Sequence, residues 1–250
     1  MQPTGDRSLR RRAVLGASLA AGASPLVLAS CREQSQNPSS GAASASEPGW
    51  PRPETPEAAL RHIQEGNQRF VAGTPLHPNQ SLELRQQLAG SQQPFAAVLG
   101  CSDSRTSPEL AMDAGIGDLF VCRVAGNIAT SAEAASLLYA QAVLGTDVLL
   151  VLGHDNCGAV KAAIEVADGK MSPGEFAPLT DPIQPAVAEA RRTGASADAL
   201  LHEAIVANVR LVVAALPAMS AGLAQAVQAG ALTIHGGVLS LATGKIELMS

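Results

Sequence analysis

Two cysteines and one histidine stand where their side chains could share one ion. Cys101 directly follows the apolar run 95–100, and His154 directly follows the apolar run 147–153. Continuous apolar runs of this length predict buried parallel strands, and ligands bind beyond the carboxyl ends of such strands. His154 and Cys157 are three residues apart, so a turn that enters a helix can direct both towards one point.

Two thiolates and one imidazole form a ligand set that suits zinc and leaves the fourth tetrahedral position for water or substrate. The same soft set disfavours magnesium and calcium. The alternative is that Cys101 and Cys157 are buried core cysteines and that His154 is a structural histidine.

Asp103 and Arg105 are two residues apart in the segment that follows Cys101. A carboxylate and a guanidinium in one tight turn can form a bidentate pair. Near zinc, a carboxylate held in this way stays ionised and can only accept a hydrogen bond from the water or hydroxide on the metal. The same carboxylate could instead swing round to become the fourth ligand, and a plain loop salt bridge is the other alternative.

The hydrophobic pattern predicts an α/β fold with a mostly parallel sheet, an antiparallel edge strand and flanking helices. A first helix begins at Thr55-Pro56, where a capping residue precedes a proline. The predicted strands cover 95–100, 118–124, 147–153, 231–235 and, as the antiparallel edge, 245–249. Further helices are predicted over 131–144, 157–167 and 197–216.

A basic stretch precedes a short apolar run at the amino terminus, which is typical of a signal peptide. Arg11-Arg12 resembles the twin-arginine export motif, and residues 28–31, which end in Cys31, resemble the lipobox of bacterial lipoproteins. We therefore expect a signal peptide over 1–31, export to the periplasm or cell envelope, and a lipid anchor on Cys31. An ordinary signal peptide cut nearby is the alternative.

Residues 32–54 are rich in Ser, Ala, Pro, Gln and Gly, and show neither helix nor strand period. This composition predicts a flexible linker, followed by a folded domain over 55–250 of usual single-domain size. The net charge of −5 and the few aromatic side chains indicate that the chain does not bind nucleic acid. Acylation of Cys31 would leave three of the four cysteines, an odd number that favours metal binding over a disulfide framework.

At these residues the chain resembles the β-class carbonic anhydrases, and the resemblance covers nearly all of 55–250. The segments that carry it are 66–70, Cys101 to Arg105, Phe120 with 123–127, 154–159 and 236–244. The resemblance implies that Cys101, His154 and Cys157 bind one zinc ion per subunit. It also implies reversible hydration of CO₂ to bicarbonate and a proton, by a zinc-bound hydroxide that the Asp103–Arg105 dyad orients.

Four more positions carry over from the family one by one. Gln92 matches a glutamine that hydrogen-bonds substrate, Phe120 an apolar wall residue, and Tyr139 a tyrosine near the zinc. The backbone N–H of Gly158, at a helix start, is placed to bind bicarbonate. In the family the glutamine, phenylalanine and tyrosine come from the neighbouring subunit, which implies a homodimer or a higher homo-oligomer; core packing or a surface amide is the alternative for each.

The chain departs from one subfamily that has a second bicarbonate pocket, because Val98 and Leu239 stand at the places of that pocket's Trp and Tyr. Gln92 and Tyr139 resemble the subfamily in which Asp103 leaves the fourth zinc position to water near neutral pH. We expect Cys122 to be a small buried hydrophobe. Histidines 62, 77, 202 and 235 belong to no motif, and none is selected as a proton shuttle.

Three other functions remain open from the sequence. An enzyme of the same fold could hydrolyse carbonyl sulfide or carbon disulfide with the same ligands. A non-catalytic exported zinc lipoprotein is the second, although a purely structural site would have a fourth protein ligand. A thiol redox protein is the third, and the lack of a Cys-x-x-Cys pair argues against it.

Overall fold

A five-stranded sheet forms the centre of the folded part of the chain, which the computed structural model describes over residues 52–249. The strands are Ala96–Gly100 (β1), Leu119–Arg123 (β2), Val148–His154 (β3), Thr233–Leu239 (β4) and Ile246–Leu248 (β5). Their order is β2-β1-β3-β4-β5; all neighbours are parallel except β4 and β5, which are antiparallel. The predicted α/β class, with its parallel sheet and antiparallel edge strand, is confirmed.

The α-helices of the described part flank this sheet and connect its strands. They are Pro56–Val71 (α1), Leu82–Gln87 (α2), Pro108–Ala111 (α3), Ser131–Ala142 (α4), Gly158–Ala167 (α5), Ala177–Thr180 (α6), Gln184–Arg192 (α7), Leu200–Met219 (α8) and Ala221–Gln228 (α9). The signal peptide over 1–31 and nearly all of the linker over 32–54 lie outside the described residues, so both stay predictions.

Apolar side chains cover the sheet on both faces, which is why β1 and β3 are buried along their whole length. On one face, Leu99, Leu149 and Val151 pack with the apolar sides of α4, α8 and α9. On the other, Val98 and Leu150 pack with α1 and α3. Each fully buried side chain of this size contributes roughly 1.5–3 kcal/mol relative to an exposed one, so the two central strands rigidly support the loops at their carboxyl ends.

Asn67 fastens α1 to the body of the domain. Its Nδ2 donates to the carbonyls of Ala111 at 2.9 Å and Gly244 at 2.7 Å, and its Oδ1 accepts from the Ile246 N–H at 2.8 Å. Three strong contacts from one buried amide tie α1 to the end of α3 and to the β4–β5 hairpin. The resemblance over 66–70 therefore marks a structural anchor.

The bounds of two predicted elements need correction. β4 continues to Leu239 through Gly236 and Gly237, whereas the prediction ended it at residue 235. A Cβ at Gly236 would lie 2.8 Å from Val209 Cγ1, so the glycine here permits close packing of α8 on the strand and does not form a turn. α8 begins and ends about three residues later than predicted, and Pro217 is accommodated inside it.

Helices α6 and α7 fill a segment for which the sequence predicted no element. Pro185 at the start of α7 resembles a break, yet proline is well tolerated in a first helical turn. The buried face of α7 consists of Ala186, Val187 and Ala190, so the helix carries an amphipathic pattern that the prediction missed.

Within residues 52–249, α8 is the one helix whose length and composition would allow it to cross a membrane. It packs against β3, β4, α7 and α9, and its inner side buries Ile205, Val209 and Leu216. α8 is therefore a core helix of this domain.

Candidate metal centre and active site

The carboxyl ends of β1 and β3 bring the three predicted ligands together. Cys101 follows β1, His154 is the last residue of β3, and Cys157 caps the start of α5. All three are buried, and their ligand atoms lie within 4.8 Å of one another. β1 and β3 are neighbours in the parallel sheet, so the chain fold alone produces this convergence.

The His154 ring is oriented as a metal ligand requires. Its Nδ1 lies 2.8 Å from the carbonyl oxygen of Asp155; because a carbonyl can only accept, Nδ1 carries the ring proton. Nε2 is buried beside the Cys101 sulfur and has no other hydrogen-bond partner among the described residues. A lone pair that is buried in this way is costly unless a cation accepts it.

The thiols of Cys101 and Cys157 interact directly. The hydrogen bond between them lowers the pKa of Cys101 and raises the pKa of Cys157, so the pair holds one shared proton in the chain alone. The Gly126 N–H also donates to the Cys101 sulfur at 3.3 Å. A dication in place of the shared proton would leave both sulfurs ionised, so this donor set fits zinc.

Asp103 and Arg105 form a bidentate pair in the loop that follows Cys101. Arg105 Nε donates to Oδ1 at 2.8 Å, Nη2 donates to Oδ2 at 2.6 Å, and the Arg105 backbone N–H donates to Oδ1 at 3.0 Å. The Arg105 guanidinium holds the pKa of Asp103 well below its usual range. The carboxylate is therefore ionised at neutral pH and turned towards arginine, which is the arrangement expected when water holds the fourth metal position.

Gly158 begins α5 beside Cys157, and its backbone is exposed to solvent. Its N–H belongs to the first turn of a ten-residue helix, where amide groups and the helix dipole favour anions. Apart from its chain neighbours and its own helix, no atom lies within 4 Å of the point where a Cβ would stand. Gly158 is therefore accessible, and its role in binding bicarbonate stays a prediction.

Gln92, Phe120 and Tyr139 do not join the metal ligands of their own chain. Gln92 is exposed in the loop before β1, at the amino end of the strand, whereas Cys101 lies at the carboxyl end. Phe120 is paired with Ala97, four residues before Cys101, which is about 13 Å along a strand. These three residues occupy a different region of the molecule from the ligands.

The rings of Phe120 and Tyr139 lie together on the outer side of the sheet, with centroids 6.3 Å apart. Tyr139 is 47% exposed, and Val143, one turn further along and just beyond the end of α4, is 64% exposed. β2, which carries Phe120, is an edge strand with no partner on its outer side among the described residues. This apolar surface is open in a single chain.

The sequence alone assigned no role to several residues that shape the site. Gly126 adopts a φ of 78°, and a Cβ there would lie 2.8 Å from Ile183 Cδ1. Its carbonyl accepts from Asn208 Nδ2 at 2.9 Å, which fixes the turn whose N–H contacts the Cys101 sulfur. Arg123 also contacts the Cys101 loop. In the sequence, only its position inside the segment 123–127, which carries the family resemblance, pointed to a role.

The structure also shows the surroundings of Val98, Leu239 and Cys122. Val98 and Leu239, at the places of the second bicarbonate pocket, are buried in one apolar cluster. Cys122 is half-buried against the opposite cluster, and burial raises the pKa of its thiol. Cys31 lies outside the described residues, so its lipidation stays a prediction.

Comparison with known proteins assigns the family. The carbonic anhydrase family matches residues 96–246 of the chain. A carbonic anhydrase of Mycolicibacterium smegmatis is 40% identical over 196 residues, covering 78% of this chain and 94% of the relative. Carbonic anhydrase 2 of Mycobacterium tuberculosis is 40% identical over 194 residues, covering 77% and 92%.

Among solved structures, the β-carbonic anhydrase CcaA superposes with a TM-score of 0.61 at 26% identity, covering 76% of this chain and 95% of the other. Fold, ligand group and relatives together define a zinc enzyme. The chain belongs to the carbonic anhydrase family, in its β class. It is therefore a carbonic anhydrase with zinc as its cofactor, and carbonyl sulfide or carbon disulfide hydrolysis and a non-catalytic zinc lipoprotein are not favoured.

Proposed function

We propose that this enzyme hydrates CO₂ by attack of an oxygen that Asp103 orients, in a site completed by a second copy of the chain. The observation that carries the first half is the bidentate Asp103–Arg105 pair in the same loop as the ligand Cys101. The observation that supports the second half is the distance of Gln92, Phe120 and Tyr139 from the ligands of their own chain.

Cys101, His154 and Cys157 would hold the zinc ion, which would lower the pKa of a water molecule towards ~7 and so supply the attacking oxygen at neutral pH. The ionised carboxylate of Asp103 has no proton to donate, so it accepts from the attacking oxygen and directs that oxygen's lone pair towards CO₂. Arg105 occupies both carboxylate oxygens. A swing of Asp103 onto the metal would give up the charge-assisted hydrogen bonds to Arg105, and this loss opposes closure of the site.

The charge that develops on the substrate oxygens needs donors. The Gly158 N–H provides one from the start of α5, where backbone amides favour anions. Gln92 of the partner subunit provides the second through its side-chain amide. Phe120 and Tyr139 of the partner subunit form the apolar wall beside CO₂, which has no net charge and little affinity for polar surroundings.

The homodimer follows from the same distribution of residues. The Phe120–Tyr139 surface lies on an edge strand and the neighbouring helix, where a second copy can bury it about a two-fold axis. A symmetric contact presents each copy's surface to the other copy's metal site. Two sites are then completed by one interface, which is the simplest assembly that gives each zinc its substrate contacts.

We also propose that the enzyme is exported and held at the cell envelope by a lipid on Cys31. Arg11-Arg12 and the segment 28–31 support this proposal. Export in the folded state by a twin-arginine route would protect both zinc thiolates from oxidation. Changing Cys31 to Ala should release the protein from membranes or block its processing, and an unchanged membrane fraction with an unchanged mature mass would rule the lipid anchor out.

The test of the orienting role is Asp103→Asn, compared with Asp168→Asn. Asp168 also pairs with basic side chains, Lys170 and Arg191, but on the surface away from the metal ligands. The Asp103 variant should bind a full equivalent of zinc and lose about 100-fold or more in kcat, because an amide can donate to the attacking oxygen and misdirect it. The Asp168 variant should match the parent. Asp103→Asn with full kcat would refute the proposed mechanism.

A further inference from the structure

Arg123 ends β2 and reaches across to the loop that carries Cys101 and Asp103. Its Nε donates to the Cys101 carbonyl at 2.8 Å, and its Nη2 donates to the Asp103 carbonyl at 2.5 Å. Hydrogen bonds from a charged donor are about twice as strong as neutral ones. One guanidinium is therefore attached to the main chain of a metal ligand and to the main chain of the orienting carboxylate.

The buried Thr106 reinforces the same two carbonyls. Its hydroxyl oxygen lies 3.2 Å from the Cys101 carbonyl oxygen and 2.9 Å from the Asp103 carbonyl oxygen. It also lies 3.4 Å from Arg123 Nη2, from which it can accept. The Thr106 N–H donates to the Asp103 carbonyl at 3.1 Å. Arg123 and Thr106 thus form one hydrogen-bonded unit around the loop.

The charge of Arg123 is directed to carbonyls and not to an acid. Over residues 52–249, Arg123 takes part in none of the ion pairs that have N–O distances within 4.0 Å. Arg105, by contrast, binds the Asp103 carboxylate directly. Two arginines therefore act on one aspartate, Arg105 on the carboxylate and Arg123 on the main chain beneath it.

We propose that Arg123 is a positioning residue for the reaction, holding the Cys101 sulfur and the Asp103 carboxylate in fixed relation to each other. The inference rests on the proposed orienting role of Asp103. Catalytic groups need placement within about 0.5 Å, and loss of an outer contact to a metal ligand typically costs 10–100-fold in metal affinity or activity. Removal of this side chain takes away a contact to each of the two main chains at once and leaves the loop held by Thr106 and by the Ser102 N–H, which donates to the Val124 carbonyl at 3.3 Å.

Lysine cannot reproduce the contact in full. The arginine fork presents two nitrogens to two carbonyls, whereas an ammonium is a single flexible donor centre. Arg123→Lys should therefore keep the charge but hold only one of the two carbonyls well. A purely electrostatic role for Arg123 predicts that lysine restores the parent's properties, so the lysine variant separates positioning from charge.

The experiment compares Arg123→Met and Arg123→Lys with Arg210→Met. Arg210 also makes a tertiary contact, to Glu189, between α8 and α7 and away from the metal ligands. We would measure zinc affinity by chelator competition, kcat and KM for CO₂, and the absorption spectrum of the cobalt-substituted proteins. Arg123→Met should bind zinc about 10–100-fold more weakly and lose a similar factor in kcat at nearly unchanged KM. Arg123→Lys should lie between, with an altered cobalt spectrum, and Arg210→Met should match the parent.

The proposal is overturned if Arg123→Met equals Arg210→Met in zinc affinity and kcat. If the methionine variant does not fold, a lysine variant identical to the parent in both measurements overturns it instead. Failure of the proposed function is separate: it would appear as full kcat in Asp103→Asn, whereas the zinc affinity of the Arg123 variants still tests the hold on Cys101.

Discussion

One chain supplies all the predicted metal ligands at the carboxyl end of the sheet. The outer surface of β2 and α4, by contrast, stays uncovered in a single chain. At the sheet end, Cys101, His154 and Cys157 converge within 4.8 Å and are buried. On the outer surface, Tyr139 and Val143 are 47% and 64% exposed, and no described element of the same chain covers them.

The difference separates two demands on the protein. Metal binding needs rigid, dry ligands, and two fully buried neighbouring strands provide them from one chain. Substrate contacts need donors and an apolar wall placed opposite the metal, and the residues with that chemistry stand elsewhere in the chain. The proposed function therefore predicts a zinc site that is intact in each copy but active only in pairs.

The largest effect is expected from Cys157→Ser, which removes a ligand from the metal site at the carboxyl end of the sheet. A serine hydroxyl is a poor zinc ligand at neutral pH, so the site loses one of its three protein ligands. Zinc content should fall far below one per chain and activity by more than about 100-fold, since outer contacts alone can cost 10–100-fold. Metal analysis and a CO₂ hydration assay on the same sample check this. Stoichiometric zinc with the parent's rate would show that the ligand assignment is wrong.

Val143→Asp should disrupt the exposed apolar surface of β2 and α4 without affecting zinc binding. A carboxylate buried at the proposed interface is costly, so the dimer dissociation constant should rise by about 100-fold or more, equivalent to roughly 3 kcal/mol. Sedimentation should show monomers that keep zinc, and activity should recover as protein concentration rises. Phe176→Asp is the matched control, because Phe176 is 58% exposed on a different surface. Equal dimerisation of the two variants would place the interface elsewhere.

Arg105→Met should give the smallest loss, about 10-fold in kcat. Arg105 lowers the pKa of Asp103, so its removal lets that pKa rise towards the usual ~3.9. The carboxylate is still ionised well above that value, so the loss should be equal at about pH 6.5 and pH 8.5. The stabilisation that the pair gives is present above ~3.9 and is lost only as pH falls through the lowered pKa. A loss confined to the lower pH would show that protonation, and not orientation, is the cause.

The ligands and the sheet could be predicted because each depends on local sequence. Continuous apolar runs mark β1 and β3, and a parallel sheet brings residues just after them to one edge. The dyad was also predictable, since Asp103 and Arg105 are two residues apart. These predictions need no knowledge of long-range packing.

The remaining features depend on contacts between distant segments. Arg123 is 22 residues from Cys101, and only the β1–β2 pairing makes their contact. The extra length of β4 depends on α8 packing against Gly236. In the proposed dimer, the position of Gln92 relative to a metal ion depends on a second copy, which no single-chain pattern describes.

The proposal that each active site takes residues from two subunits is tested most directly by mixing two defective variants. Gln92→Ala retains Asp103, and Asp103→Asn retains Gln92, so a hybrid dimer contains one site with both residues intact. After subunit exchange verified by native mass spectrometry, hybrids should form about half of the dimers, and the mixture should approach about a quarter of the parent's CO₂ hydration activity. A mixture that contains hybrids yet shows only the mean activity of the two separate variants would contradict the account.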